Sequence, residues 1–183
     1  MKIIETNLKD LVVIQPQAFE DERGYFMESF KNSFFDNNFP EIEFVQENES
    51  QSKKNVLRGL HFQIPPYEQA KLVRVSFGKV LDVAVDLRRY SPTYGQYFSL
   101  ILSSENKKQM LIPRGFAHGF LVLSEVAVFS YKVDNKYSKE HESGLIWNDS
   151  ILNIDWGANK DKFLISKKDA LLDTFNNFKS PFR

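Results

Sequence analysis

The stretch KLVRVSFGKVLDVAVDLR (Lys71–Arg88) decides the class of fold. Two apolar, β-branched runs flank Gly78-Lys79, and side chains along a strand alternate between two faces. Counted by twos, Val73, Val75 and Phe77 fall on one face with Leu81, Val83, Val85 and Leu87. Arg74, Ser76, Asp82, Ala84 and Asp86 fall on the other. Read this way, the stretch predicts a β-hairpin turning at Gly78-Lys79. Working outward, the same signal recurs. YFSLILS (Tyr97–Ser103) reads as a strand closed by the turn residues SENKKQ, and QMLIP, HGFLVLS and VAVFSYKV continue the series. Short strands at this spacing predict a sandwich or barrel. Helical signals are confined to NSFFDNNF (Asn32–Phe39) and a C-terminal stretch opening SKKDALLDTF (Ser166–Phe175).

The chain has 183 residues, enough for one domain with its own core, and residues 1–183 read as a single unit without linker or repeat. Lysine plus arginine and aspartate plus glutamate both number 24, so no global field draws the chain onto nucleic acid or an anionic membrane. An anionic ligand must be held by a local cluster of cations. The absence of cysteine excludes thiolate catalysis, disulfides and cysteine-ligated zinc. No signal peptide or membrane-length apolar run is read, so a cytoplasmic location is expected. The 17 phenylalanines suit the space between packed sheets.

Within this apolar pattern a few polar residues need a reason. NVLRGLHFQ (Asn55–Gln63) places Arg58 and His61 in a strand-like run. Strict alternation puts them on opposite faces, whereas a bulge at Gly59 would turn both onto one face, as often happens beside a site. The plainer reading makes His61 a hydrogen-bonded core histidine and Arg58 an edge charge. His118, in PRGFAHGF, reads either as a site residue or as a loop histidine satisfied by backbone groups. His141, in the charged run SKEHES, reads as a solvated loop residue. Tyr131 shares strand parity with Ala127, Phe129 and Val133, the pattern of a core tyrosine whose hydroxyl finds a partner at the edge. Asp169 sits three residues after Ser166, the spacing of a capped helix start; a capping carboxylate can also orient an imidazole. A metal site of the His-x-His type is not supported, because Phe62 and Gln63 follow His61.

Taken together, DERGYFMESF, FVQENESQSKKNVLRGLHFQ, AKLVRV, GKVLDVAVDLRRYSPTYGQ, IPRGFAHGF, FSYKV, GLIWND and ISKKDA resemble the dTDP-4-dehydrorhamnose 3,5-epimerases along nearly the whole chain. The resemblance implies an all-β, cupin-like jelly roll with a few short peripheral helices, a homodimer, and catalysis without metal or organic cofactor. It implies dTDP-4-dehydro-6-deoxy-D-glucose as substrate, inverted at C3 and C5 on the route to dTDP-L-rhamnose. His61 would then be the base, Asp169 its carboxylate partner, Tyr131 the proton donor and Lys71 the cation beside the enolate oxygen. Arg23, Arg58, Lys71 and Lys168 would line the ligand site, with Glu28, Gln46, Glu47, Asn48, His118 and Glu142 as further binding positions. At Glu47 the family often has Asp, and IPPYEQ between His61 and Lys71 is particular to this chain. The alternatives are an epimerase that inverts only C3 of another nucleotide-linked 4-keto sugar, and a jelly roll that binds such a sugar without catalysis. The dimer is expected through an exposed strand LVVIQP (Leu11–Pro16) pairing with a neighbouring sheet edge, with residues near Arg23 serving the partner's site.

Overall fold

The computed structural model describes residues 1–157 and 159–183. Two antiparallel sheets pack face to face as a jelly roll. One runs in the spatial order β1 (Lys2–Glu5), β2 (Val12–Gln15), β10 (Gln109–Ile112), β7 (Lys71–Phe77), β12 (Val126–Val133), β5 (Gln46–Lys53). The other runs β13 (Glu142–Gly144), β6 (Val56–Gln63), β11 (Phe116–Val122), β8 (Lys79–Asp86), β9 (Tyr97–Ser103), with β14 (Leu164–Ile165) lying parallel against β6. A separate hairpin pairs β3 (Ala18–Asp21) with β4 (Gly24–Met27).

The hairpin read at Gly78-Lys79 is not formed. β7 pairs with β10 and β12, β8 pairs with β11 and β9, and the two strands lie in opposite sheets. Gly78 turns the corner at φ +80°, where a Cβ would run into the Val126 carbonyl and the Ser124 hydroxyl. Sandwich strands that change sheets need such corners. The predicted common face is divided accordingly. Val73 and Val75 point between the sheets with Val80 and Ala84, Val83, Val85 and Leu87 point out the other side, and Phe77 is exposed.

The β8 sheet is therefore covered on both faces, which explains why β8 and β11 read as nearly continuous apolar runs, while the β7 sheet is covered outside only over β2, β10 and β7. Between the sheets lie Val73, Val75, Val80, Met110, Phe116, Phe120 and Phe129. The outer face of the β8 sheet is covered by C-terminal residues including Trp156 and Phe182. The outer face of the β7 sheet packs under the helix α1 (Asn32–Asn38), whose Phe35 inserts among Val12, Ile14, Leu72 and Leu111. Truncating Phe35 would cost about 3–5 kcal/mol by the usual penalty for emptying a phenylalanine site. The predicted C-terminal helix reduces to one 3-10 turn, Asp169–Leu171. LVVIQP is not an exposed edge either: β2 is paired on both sides, by β1 and β10, and its valines and Ile14 are buried.

Candidate active site

β6 carries the site because it is bulged. Leu57, Leu60 and Phe62 all pack in the outer cluster, although Leu57 and Leu60 are three positions apart. The ladder to β11 pairs His118 with His61 and Phe120 with Arg58, so β6 has one residue more than its partner. Gly59 absorbs it at φ +114°, with its backbone so close to β11 that a Cβ would lie 2.6 Å from both Gly119 Cα and the His118 oxygen. Arg58 and His61 thereby share the inner side of the strand, and both line one cavity of about 430 Å³ between the sheets.

Across the bulge, Asp169 reaches His61 from the C-terminal 3-10 turn, with Oδ1 2.8 Å from Nε2. The Ser166 hydroxyl accepts the Asp169 N–H at 3.0 Å, so the predicted cap exists over a shorter turn. Gly59 N–H donates to the other carboxylate oxygen at 3.3 Å. Burial pushes the Asp169 carboxyl up, but the bond to His61, the imidazole charge and the Gly59 N–H outweigh it and hold the group below its ordinary range. An ionised Asp169 accepts the proton on Nε2, which leaves Nδ1 as the lone-pair nitrogen. Nδ1 has no partner among the described residues.

The opposite wall comes from the other sheet. Tyr131 on β12 lies on the parity of Ala127 and Phe129, as predicted, and faces the same cavity. Burial raises its phenol above the ordinary range, more than Arg58 and the Asn48 side chain lower it, so it stays protonated. Lys71, at the start of β7, lines the cavity too. Its amine is lowered by burial to about 8, with the charges of Asp82 and Glu142 opposing the fall. Arg58 is steadied by a 3.0 Å bond from Nε to the Ser52 hydroxyl. His118 is neither in a loop nor satisfied by backbone: it lies inside β11, with Nε2 3.0 and 3.1 Å from the two oxygens of Asp82.

The profile of the dTDP-4-dehydrorhamnose 3,5-epimerases matches residues 5–177. The chain belongs to this family. It is 51% identical over 170 residues to the dTDP-4-dehydrorhamnose 3,5-epimerase of Shigella flexneri, covering 92% of this chain and 93% of that one. The crystal structure of the Elizabethkingia anophelis enzyme of the same name superposes with a TM-score of 0.91 at 49% identity, over 96% of this chain and 97% of that one. A Legionella pneumophila dTDP-6-deoxy-D-glucose-3,5-epimerase, solved with dTDP-4-keto-L-rhamnose, gives 0.92 at 45% identity, over 97% and 94%.

Against the residues that membership in the 3,5-epimerases implies, the fold unites His61, Asp169, Lys71, Tyr131, Arg58 and His118 around one cavity. Gln46, Asn48 and Glu142 line an adjoining recess together with His61, Lys71 and Tyr131. Lys168 stands at its rim, its ammonium 2.7 Å from Glu142. Three expected positions are not in the site of their own chain. Glu47 follows Gln46 on a strand, so it points to the outer face, where it pairs with Lys132 at 2.6 Å. Arg23 lies on the β3–β4 hairpin, exposed and paired with Asp21, and Glu28 is exposed and paired with Lys31 at 3.2 Å. His141 is less solvated than expected: its Nδ1 is 2.8 Å from the Ser138 hydroxyl and its ring lies against Tyr67. Residues that sequence reading missed are Asp82, Ser52 and Tyr137, whose hydroxyl donates to Glu142 at 2.8 Å. Asp82 had left a signal, as a carboxylate interrupting the apolar run VLDVAV.

Proposed function

We propose that this chain inverts dTDP-4-dehydro-6-deoxy-D-glucose at C3 and C5 to give dTDP-4-dehydro-L-rhamnose, with His61 as base and Tyr131 as acid. The observation that carries the assignment is that the two groups come from opposite sheets: the dyad His61–Asp169 on the β6 side and the phenol of Tyr131 on β12, with the cavity between them. Inversion needs that arrangement. A proton leaves one face of the carbon and another arrives on the opposite face.

The C3 and C5 hydrogens flank the C4 ketone, so either deprotonation moves an electron pair onto O4. The ketone is its own electron sink, and no metal or organic cofactor enters the step. Nδ1 of His61 takes the proton, and Asp169 stabilises the imidazolium that forms. Lys71, on the strand next to that of Tyr131, offsets the charge on O4 while it is protonated. Tyr131 then delivers its proton to carbon from the facing sheet. Its phenolate and the imidazolium return to their starting states by exchange with solvent. Arg58 binds the diphosphate, whose oxygens its planar fork matches, and Lys168 lies close enough to the rim to assist. Gln46, Asn48, His118 and Glu142 hold the remainder of the ligand.

Residues 1–183 work as one domain, in the cytoplasm, and as a homodimer. A two-stranded hairpin is marginal by itself, and β3–β4 exposes Phe19, Tyr25 and Phe26 by 58%, 53% and 68%. β5 ends its sheet with an open edge beside the cavity. A second copy's hairpin against that edge would cover the aromatics and bring Arg23 and Glu28 of that copy to the ligand. Light scattering on the active protein reads this directly, and a fully active monomer would refute it.

The assignment of roles is tested with His61→Ala. Proton exchange at C3 and C5 is expected to fall by at least about a thousandfold, while dTDP binds with unchanged affinity. Loss of both would make His61 a structural histidine.

A further inference from the structure

The catalytic roles above leave unused a buried carboxylate that is bonded to a residue of the cavity wall. Asp82 is fully buried on β8, with its side chain on the parity of Val80 and Ala84, which point between the sheets. A carboxylate there weakens a fold unless its charge is matched. Both of its oxygens are within hydrogen-bond distance of one atom, His118 Nε2, at 3.0 and 3.1 Å. The ring so held lies against Phe129, with centroids 5.8 Å apart, on the floor of the cavity. Lys71 enters the same space from the facing sheet.

We infer that Asp82 is a positioning residue for the enolate side of the reaction: it clamps the His118 ring against the cavity floor and supplies the counter-charge that keeps Lys71 an ammonium where O4 must sit. This rests on the assignment of Lys71 to O4 made above. Lys71 shares the cavity with His118 on β11, Arg58 and His61 on β6 and Tyr131 on β12, and the adjoining recess with Glu142 on β13, while Asp82 on β8 stands behind His118. Of the two carboxylates that raise its amine, Glu142 is already bonded to Lys168 and Tyr137. Among the described residues the Asp82 carboxylate is bonded only to the His118 ring.

The test is Asp82→Asn, which keeps shape and removes charge. Turnover is expected to fall roughly ten- to a hundredfold, with KM within a few-fold of the parent. The alkaline limb of the rate profile should move down by about one pH unit. In a Lys71→Gln background the same substitution should cost less than about threefold, since the two act through one another. An unmoved limb, or an equal loss in both backgrounds, would overturn the inference and leave Asp82 as packing. Should Asp82→Asn fail to fold, His118→Leu removes the donor that bonds Asp82 and frees the carboxylate for Lys71, so the limb should hold or rise; a fall overturns it. If the parent protein exchanges neither C3 nor C5 hydrogen, the functional assignment is what fails. NMR titration of Lys71 with and without Asp82→Asn then still reads the counter-charge: a lower midpoint in the variant supports it, and an equal midpoint overturns it.

Discussion

Gly59→Ala strikes the residue on which both the sheet and the site depend. At φ +114° an alanine adopts a conformation that costs about 1–3 kcal/mol. Its Cβ would sit 2.6 Å from Gly119 Cα and the His118 oxygen, which are backbone atoms and cannot rotate away. Relieving that overlap means parting β6 from β11, comparable to overpacking a core, at about 1–3 kcal/mol more. The sum is about 2–6 kcal/mol, or a fall in Tm of roughly 4–24 °C at 2–4 °C per kcal/mol for a domain of this size. Parting the strands also carries His61 away from Asp169, and a displacement approaching 1 Å is worth about a hundredfold in rate. Gly157→Ala supplies the control, because Gly157 has φ +84° and, among the described residues other than its chain neighbours, none comes within 4 Å of the added Cβ. It should cost only the backbone part and leave turnover alone. Calorimetry and turnover measured side by side read both quantities. If Gly59→Ala melts with Gly157→Ala and keeps full turnover, the bulge is not what aims Arg58 and His61.

The further outcomes concern two ionisable groups, Asp169 and Lys71. Asp169→Asn keeps a bond to His61 but presents an amide in place of the charge, so turnover should drop by about a hundredfold or more with dTDP affinity unchanged; a loss below tenfold would remove Asp169 from the dyad. Because the folded Asp169 carboxyl lies below its ordinary 3.8, its contribution to stability is present above that value and is lost as pH falls through the lower, folded one; acid unfolding of Asp169→Asn should show a shallower dependence in that window. For Lys71 the sign is the reverse of the usual lysine case. Its amine titrates near 8 in the fold against 10.5 free, so its burial penalty is relieved, and its contribution to stability rises, between those values, while turnover falls above about pH 8. Tm and rate measured from pH 7 to 10 should therefore show activity lost before any unfolding, and Lys71→Gln should lack that alkaline limb.

The sheet character of the chain was legible because period-2 alternation is a local property. Gly59 was legible for a related reason: a glycine between two polar residues of a strand has few uses other than a bulge. The partner of each strand was not legible. Gly78-Lys79 satisfies a hairpin turn and a sheet-changing corner equally well, and what decides between them is the burial of β8 on both faces by segments far away in sequence. The Ser166–Asp169 cap could be read from spacing, but its meeting with His61, 108 residues earlier, depends on how the C-terminal segment crosses β6. Resemblance supplied Arg23, Glu28 and Glu47 as binding residues without saying where the chain puts them. The alternation of β5 turns Glu47 outward, and the hairpin carries Arg23 away from its own cavity.

Hydrogen exchange at carbon tests the central claim most directly. The protein is incubated with dTDP-4-dehydro-6-deoxy-D-glucose in D2O without added metal, and the sugar is followed by NMR while a downstream reductase traps the L-configured ketone. Base and acid on opposite walls of one cavity predict deuterium at both C3 and C5 and inversion at both centres. Deuterium at C3 alone would contradict the double inversion, and deuterium at neither would contradict the catalytic assignment of His61 and Tyr131.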